Sequence, residues 1–468
     1  MSVSQTKPLK VLIVGGGLGG LTMAILLEKA SIDYEVYERN TAPRSLGSAT
    51  SLTPNIMPAF EQLGLLDGLR QISKKSMNIQ IFKEPVTGSE GDLIQVGETD
   101  VSAYEEVCGY HSLIMSRPDL HAFLLSQIPA DKIRFGKRVL SISQDDDNGV
   151  LIRTSDGKTH EGDILIGCDG AYSGVRQSLY ERMASEGILP NSDAEEMKVC
   201  HMSILGTTEP MDPQERPAIA NVESCAHAII GHNKPHSWRY FTVPGNRVCW
   251  RVDVQLESKS FVHSDAFKNS EWGSESSSSI EDDWRAFKLP IGGTIGELIN
   301  STPPELVSKV MLEEKLYTTW YHRRTVLIGD ACHKMLPNAG RGAINAMMDA
   351  VILANALYEI AEEPTKHNIH AAFKEYYKER YAYAKTELES SQQAAKLLAG
   401  QTWTDSMMRK VVFNYMPSTF QRMVFTKALA YRPQISFLPR VENRGTGAAV
   451  SQKESKRYQR EMEKVRSD

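Results

Sequence analysis

The stretch Lys10–Glu38, KVLIVGGGLGGLTMAILLEKASIDYEVYE, decides the fold. Lys10–Val14 is a short apolar run of strand type, and Leu18–Lys29 carries apolar residues at helical spacing. Tyr34–Tyr37 reads as a second strand that ends at Glu38. Strand, glycine turn, helix and strand make a βαβ unit of about 30 residues. Its glycines fit GxGxxG as Gly15, Gly17 and Gly20. Gly15 permits the tight turn, Gly17 lets backbone approach a pyrophosphate, and Gly20 allows close helix–strand packing. The helix N-terminus then faces phosphate charge. Glu38 stands where a carboxylate bonds the ribose hydroxyls of an adenosine. The pattern predicts a dinucleotide site.

Some 300 residues onward the chain reads Val326-Leu327-Ile328-Gly329-Asp330-Ala331-Cys332-His333. An apolar strand ending in Gly-Asp presents one carboxylate, Asp330, to a ligand hydroxyl. Gly340 and Gly342 then lead into an apolar helix from Ala343, where backbone N–H groups can meet an anion or polarised carbonyl. An unexceptional loop–helix junction is the plainer reading. Between these regions, Cys168-Asp169-Gly170-Ala171-Tyr172-Ser173-Gly174-Val175-Arg176 follows a buried strand. Asp169 and Gly170 would shape a turn beside phosphates, and Ser173 would start a helix that brings Arg176 inward. Arginine suits bidentate recognition of phosphate or carboxylate. The competing reading is an Asp-Gly turn with an incidental arginine. Taken together, the three segments predict one long ligand held by remote parts of the chain.

The 468 residues suffice for two or three cores, since single cores rarely exceed about 250–300 residues. Hydrophobic residues make up 41% and charged residues 24%, and the net charge is -5, which gives no electrostatic reason to expect nucleic acid. Six cysteines (Cys108, Cys168, Cys200, Cys225, Cys249, Cys332) show no CxxC pair and no zinc spacing, so no metal site is expected and the thiols read as reduced. The run at 9–14 is too short for a signal peptide, and no segment reaches the roughly 20 apolar residues of a membrane span. The expected location is cytoplasmic, with membrane contact at most peripheral.

Residues 53–70 suggest a helix stopping near Gly64, and 76–115 look like sheet. Ser116 is a good N-cap for a helix with Pro118 in its first turn. Val139–Ser143 and Val150–Thr154 read as a hairpin, and Asp163–Cys168 as a buried strand. In 181–300, runs of β type (Val199–Leu205, Ala226–Gly231, Tyr240–Val243, Arg247–Leu256) alternate with polar loops, the Ser-rich 274–279 among them. A strand at 325–329, a buried helix at Ala343–Leu357 and a long helix at 366–399 follow. The tail 441–468 reads as a solvated helix or disorder. The expected division is 1–75, 105–180 and 315–360 for a cofactor domain and 76–104 plus 181–314 for a substrate domain. A helical region, 361–440, and a polar tail, 441–468, complete it.

With GxGxxG, DGxxSxVR and GDAxHxxxPxxGxGxN in order over roughly residues 10–360, the chain resembles the single-component (group A) FAD-dependent monooxygenases of the p-hydroxybenzoate hydroxylase fold. It is most similar to the fungal subset that epoxidises or hydroxylates secondary metabolites. The resemblance implies an α/β fold: a Rossmann-type FAD-binding domain, an inserted mostly β substrate domain and a C-terminal helical region. It implies that Glu38 binds the adenosine ribose and Arg117 the FAD phosphate or ribityl region. Asp330 would hold the ribityl chain, with Gly340, Gly342 and Ala343 along the isoalloxazine. Asp169 and Arg176 would serve both FAD and NADPH. One departure stands out: the family commonly has glutamine between the two flavin-side glycines, and here it is Arg341. That cation either favours the anionic reduced flavin or points to solvent. Cys332 is read as packing.

The implied reaction uses NADPH, or NADH, to reduce FAD. O₂ then forms a flavin hydroperoxide that delivers one oxygen atom to an electron-rich aromatic or terpenoid-like alkene, as hydroxylation or epoxidation. The alternative is an FAD-dependent reductase or dehydrogenase without oxygen transfer. Candidates for the substrate side are His201, Arg239, Tyr240 and Arg251, on or beside strands where alternate residues face opposite ways. The stretch 409–438, mixing Lys/Arg with aromatics, reads as a lid or as an interfacial helix.

Overall fold

The computed structural model describes residues 8–85, 92–146, 148–231, 236–255, 284–336, 340–399, 403–414 and 417–467. The opening βαβ unit lies at the heart of a six-stranded sheet. Its order is Tyr321–His322, Thr325–Leu327, Ile164–Gly167, Lys10–Val14, Asp33–Tyr37 and Ile133–Arg134. All neighbours are parallel except the first pair. Val11–Ile13, Ile164–Ile166 and Val326–Ile328 are fully buried, as continuous apolar strands with both faces covered must be. Hence three segments remote in sequence meet edge to edge, and the loops after Val14, Gly167 and Leu327 emerge together.

The expected strand at 325–329 is shorter than its apolar pattern. It stops at Leu327, and Gly329–Ala331 form a single 3₁₀ turn. Gly329 adopts φ +63°, a left-handed conformation that ends the ladder and turns Asp330 away from the sheet. Ser116 caps its helix Arg117–Leu125 by accepting from Asp119 N at 3.2 Å. Val139–Asp145 and Gly149–Thr154 pair antiparallel, with Thr159–Gly162 as a third strand.

An eight-stranded sheet holds His333–Lys334, Ser308–Leu316, Lys198–Thr207, Arg247–Gln255, His236–Val243, Ala226–Ile230, Asn78–Lys83 and Ile94–Asp100, in that order. One face packs Trp238, Tyr240, Trp250 and Val252 into an aromatic core with Trp284, Phe287 and Leu298. The other turns Leu205, Arg239, Phe241 and Arg251 towards a large cavity. The Ser-rich 274–279 lies outside the described residues.

Helix Gly342–Ile360 is apolar and long enough to cross a membrane, yet it is a core helix here. It packs between Leu18–Lys29 and the long helix Lys366–Ala399. The tail is less free than its composition suggests. Helix Lys456–Ser467 has no fully buried residue, but Arg457 NH1 donates to Tyr358 O at 2.9 Å. Upstream, Arg432 NH2 reaches Gly447 O at 3.0 Å and Gln434 N reaches Gln452 Oε1 at 2.7 Å. Polar bonds dock this segment, which a count of apolar residues does not register.

Candidate functional site

The three glycines of the first motif meet three different demands. Gly15 has φ +111°, and a Cβ there would sit 2.4 Å from Cys168 O, so the first motif locks onto the second. At Gly20 a Cβ would lie 2.0 Å from Gly15 O. A Cβ on Gly17 would meet nothing within 4 Å, because that position faces the cavity. Helix Leu18–Lys29 begins there with no acidic residue in its first turn, leaving its positive end for an anion. At one end of the cavity Glu38 is fixed by Gly16 N (2.8 Å, to Oε2) and Asn40 N (2.8 Å, to Oε1).

Arg117 and Asp330 line the same cavity. Burial pulls the Arg117 guanidinium below its ordinary range, and Asp330 counteracts this. Asp330 pairs with Lys334 at 2.6 Å, a partner four residues on that the motif did not suggest. Beneath it lies a fully buried brace. Asp349 Oδ2 accepts from Gly329 N (2.9 Å) and meets His333 Nε2 (2.5 Å), while Oδ1 accepts from Arg380 Nε (2.8 Å). All three side chains are 0% exposed. Burial opposes the charge on Asp349, yet His333 and Arg380 bring its carboxyl down to about 2. Cys332, His333 and Asp349 cluster closely enough to suggest a cation site. The Arg380 charge already neutralises the carboxylate, so the trio is a brace for the Gly329–Ala331 turn. A lone aspartate among Met347, Met348, Ala350 and Val351 of helix Gly342–Ile360 was its sequence signal.

The second motif lines the same cavity and also braces the protein itself. Asp169 accepts from Ser173 Oγ (2.5 Å) and Val175 N (3.1 Å), and Ser173 accepts from Arg176 N (2.9 Å), capping helix Gly174–Ser185. Arg176 does point inward. Its NH1 and NH2 donate to Ala331 O (2.9 Å) and Ala171 O (2.7 Å), and its guanidinium lies 4.3 Å over the Tyr317 ring. It ties the second motif to the third.

Arg341 does not point to solvent. NH1 donates to Thr53 Oγ1 (3.1 Å) and Asn55 Oδ1 (2.9 Å), and Nε lies 3.4 Å from Glu387 Oε2. Thr53, Asn55 and Glu387 come from distant segments and carried no recognisable pattern. Gly340, Arg341, Gly342 and Ala343 all border the cavity, and helix Gly342–Ile360 also lacks an acid in its first turn.

Of the four substrate-side candidates the sheet brings only two to the cavity. Arg239 and Arg251 are register partners on the cavity face, 3.4 and 2.8 Å from Asp253 Oδ2. Burial, with Arg251 beside it, pulls Arg239 down to about 9. Tyr240, one residue on, faces the aromatic core, where its hydroxyl meets His227 and accepts from Ile291 N at 3.1 Å. His201 is buried on the strand beside Gln255 and is not a lining residue. Tyr240 and His201 are therefore corrected. Strand alternation removes the first from the cavity, and the second is buried, lying in sequence between the lining residues Val199 and Leu205 without bordering the cavity.

The cavity measures about 1840 Å³. Pockets for one drug-sized ligand span about 300–1,000 Å³, so a dinucleotide and a second molecule fit side by side. Glu38, the open face of Gly17, Arg117, Asp330 and Gly342–Ala343 line it together, a set of carboxylate acceptors, one cation and backbone N–H groups that suits FAD. Beyond them Ile79, Ile81, Leu205, Phe241, Val310 and Leu312 make an apolar wall around Arg239 and Arg251.

The FAD binding domain family matches residues 8–243 and 258–391. The FAD-dependent monooxygenase ausM of Aspergillus calidoustus is 27% identical over 456 residues, 95% of this chain and 92% of that protein. The FAD-dependent monooxygenase paxM of Penicillium paxilli is 28% identical, over 94% of this chain and 89% of its own. Among solved structures, HpxO of Klebsiella pneumoniae, complexed with FAD and uric acid, superposes with a TM-score of 0.69. It is 20% identical and covers 91% of this chain and 97% of its own, a likeness of fold. PqsL of P. aeruginosa, in complex with 2-aminobenzoylacetate, gives a TM-score of 0.64 at 18% identity, over 86% of this chain and 98% of its own. This chain belongs to the FAD binding domain family and is an FAD-dependent monooxygenase of the p-hydroxybenzoate hydroxylase fold.

Proposed function

We propose that this enzyme consumes NADPH and inserts one atom of O₂ into an electron-rich aromatic or alkene carbon of a bulky, apolar, terpenoid-like substrate. The observation that carries this reading is the single cavity that runs from the Glu38 end to the apolar wall around Arg239 and Arg251. FAD, when bound and reduced, supplies the electrons that activate oxygen. Glu38 orients the adenosine end, and Gly15 and Gly17 open backbone to the pyrophosphate. Arg117 balances phosphate charge, and Asp330, held by Lys334, accepts from the ribityl hydroxyls. The N–H groups of Gly342 and Ala343 meet the ring system. Asp169 and Arg176 act by fixing the turns on which these groups stand. Arg239 and Arg251 orient a substrate oxygen, while Leu205, Phe241 and Val310 exclude water.

The test is a panel of phenols, indoles and prenylated alkenes, assayed for NADPH consumption under ¹⁸O₂ with peroxide release measured in parallel. One labelled oxygen per NADPH consumed is expected for a matching substrate. A dehydrogenated product carrying no labelled oxygen, from a member that stimulates NADPH consumption, would instead favour dehydrogenation without oxygen transfer. Helices Trp403–Asn414 and Ser418–Ala428 expose Met407, Met408, Val411, Phe420, Met423 and Val424 beside Lys410 and Lys427. That composition supports peripheral contact with an anionic bilayer, through which an apolar substrate would arrive. Protein that stays in the supernatant with phosphatidylserine vesicles would end that part of the reading.

A further inference from the structure

Arg341 stands between Gly340 and Gly342, and the surrounding side chains come from three remote segments. Thr53 and Asn55 hold its NH1, Glu387 of helix Lys366–Ala399 faces its Nε, and Tyr104 and Tyr383 stand beside it. The side chains of Arg341 and Glu387 are only 14% and 10% exposed. Asn55, 0% exposed, is clamped in turn by Ala428 O (3.0 Å) and Tyr431 O (2.9 Å). A buried ion pair is a poor way to stabilise a fold, because desolvation cancels most of the attraction and an apolar pair of equal volume does as well. The cation of this one, Arg341, is built into the cavity wall next to Gly342 and Ala343, with Glu387 behind it, in surroundings where fixed charges act strongly.

We propose that Arg341 and Glu387 form a charge couple that sets the reduction potential of the flavin, Arg341 favouring the reduced ring and Glu387 restraining and partly offsetting it. The inference rests on the assignment of FAD to this cavity. Two electrons and one proton, delivered as hydride from the nicotinamide, convert the neutral oxidised ring to a reduced ring bearing one negative charge. A cation fixed beside it stabilises that product over the oxidised form. Arg341 is held at its NH1 by two neutral oxygens, so the carboxylate is the one countercharge facing it among the described residues. Glu387 is a positioning residue, since it acts through Arg341.

The experiment is an anaerobic, dye-coupled reductive titration of the FAD-loaded enzyme and three variants. Arg341→Gln should disfavour reduction about tenfold, a fall of roughly 30 mV for a two-electron couple. Glu387→Gln should shift the potential upward by a comparable factor, because it strips the countercharge from the arginine. Arg341→Lys should stay within about threefold of the parent. An unchanged potential in Arg341→Gln, or shifts of the same sign in the two glutamine variants, would overturn the proposal. Should Arg341→Gln fail to hold FAD, Glu387→Gln decides alone: an unchanged or lowered potential refutes it. A parent protein that binds no FAD would instead refute the assignment of the cavity.

Discussion

Replacing Asp349 by asparagine removes the charge at the centre of the buried brace while keeping its shape. Three donors converge on that carboxylate, the backbone N of Gly329 and the side chains of His333 and Arg380, and the Asp349, His333 and Arg380 side chains are fully enclosed. An asparagine has one acceptor oxygen to offer, and its NH₂ group would confront a donor. Arg380 would be left as a buried cation without its counterion, a change that costs about 3–5 kcal/mol. Part of this sum is linked to pH. A carboxyl at about 2 in the folded protein and near 3.8 when unfolded contributes on the order of 2 kcal/mol. Because the folded value is the lower one, that contribution is complete above pH ~4 and is lost as pH falls towards ~2. Urea unfolding, followed by tryptophan fluorescence from pH 7 to pH 3, measures both quantities. Asp349→Asn should lose at least about 3 kcal/mol at pH 7, and its decline with acid should be shallower than the parent's. A loss below about 1 kcal/mol, or an identical acid profile, would refute the brace.

Gly17→Ala and Gly20→Ala should separate ligand approach from packing. The first leaves apoprotein stability nearly unchanged but weakens FAD binding measured by fluorescence quenching. The second costs about 1–3 kcal/mol before any ligand is added, because its Cβ has no room beside Gly15 O. Asp330→Ala should weaken FAD affinity by about ten- to a hundredfold, as loss of a charged acceptor does. Lys334→Met should cost no more than about fivefold, the ordinary value of a partly exposed pair, by the same titration. Arg251→Met should raise KM for a coupled substrate by about tenfold or more, consistent with lost charged hydrogen bonds. Tyr240→Phe should leave KM within about twofold and lower stability by ~1 kcal/mol through its lost bond to Ile291 N. The reverse pattern in steady-state kinetics would show that the faces of strand His236–Val243 have been misassigned.

What was legible in the sequence is what local physics dictates. Lys10–Glu38 announced strand, turn, helix and strand because a glycine at each tight position and an apolar run between them leave few other conformations. The order of the three motifs carried the family, and with it the cofactor. The strand at Thr325–Leu327 is shorter than its apolar run, since apolar residues also fill a turn that is buried. Docking of the tail through Arg432, Gln434 and Arg457 has no signature in the sequence, because polar contacts have no periodicity.

Local pattern alone marks the dinucleotide-binding βαβ unit, the expectation that Gly329-Asp330 serves the far end of the same ligand, and Arg341 as the departure between Gly340 and Gly342. Only the tertiary structure decided what these residues do to one another. It showed Arg176, at the cavity wall, tying two loops together through Ala331 O and Ala171 O, and it put Arg239 in the cavity and Tyr240 in the aromatic core. It also set Glu387 opposite Arg341. The reason is physical: a motif fixes backbone conformation over a few residues, which the chain encodes locally. The charge a buried group faces depends on contacts hundreds of residues apart, and nothing in a linear spacing records them.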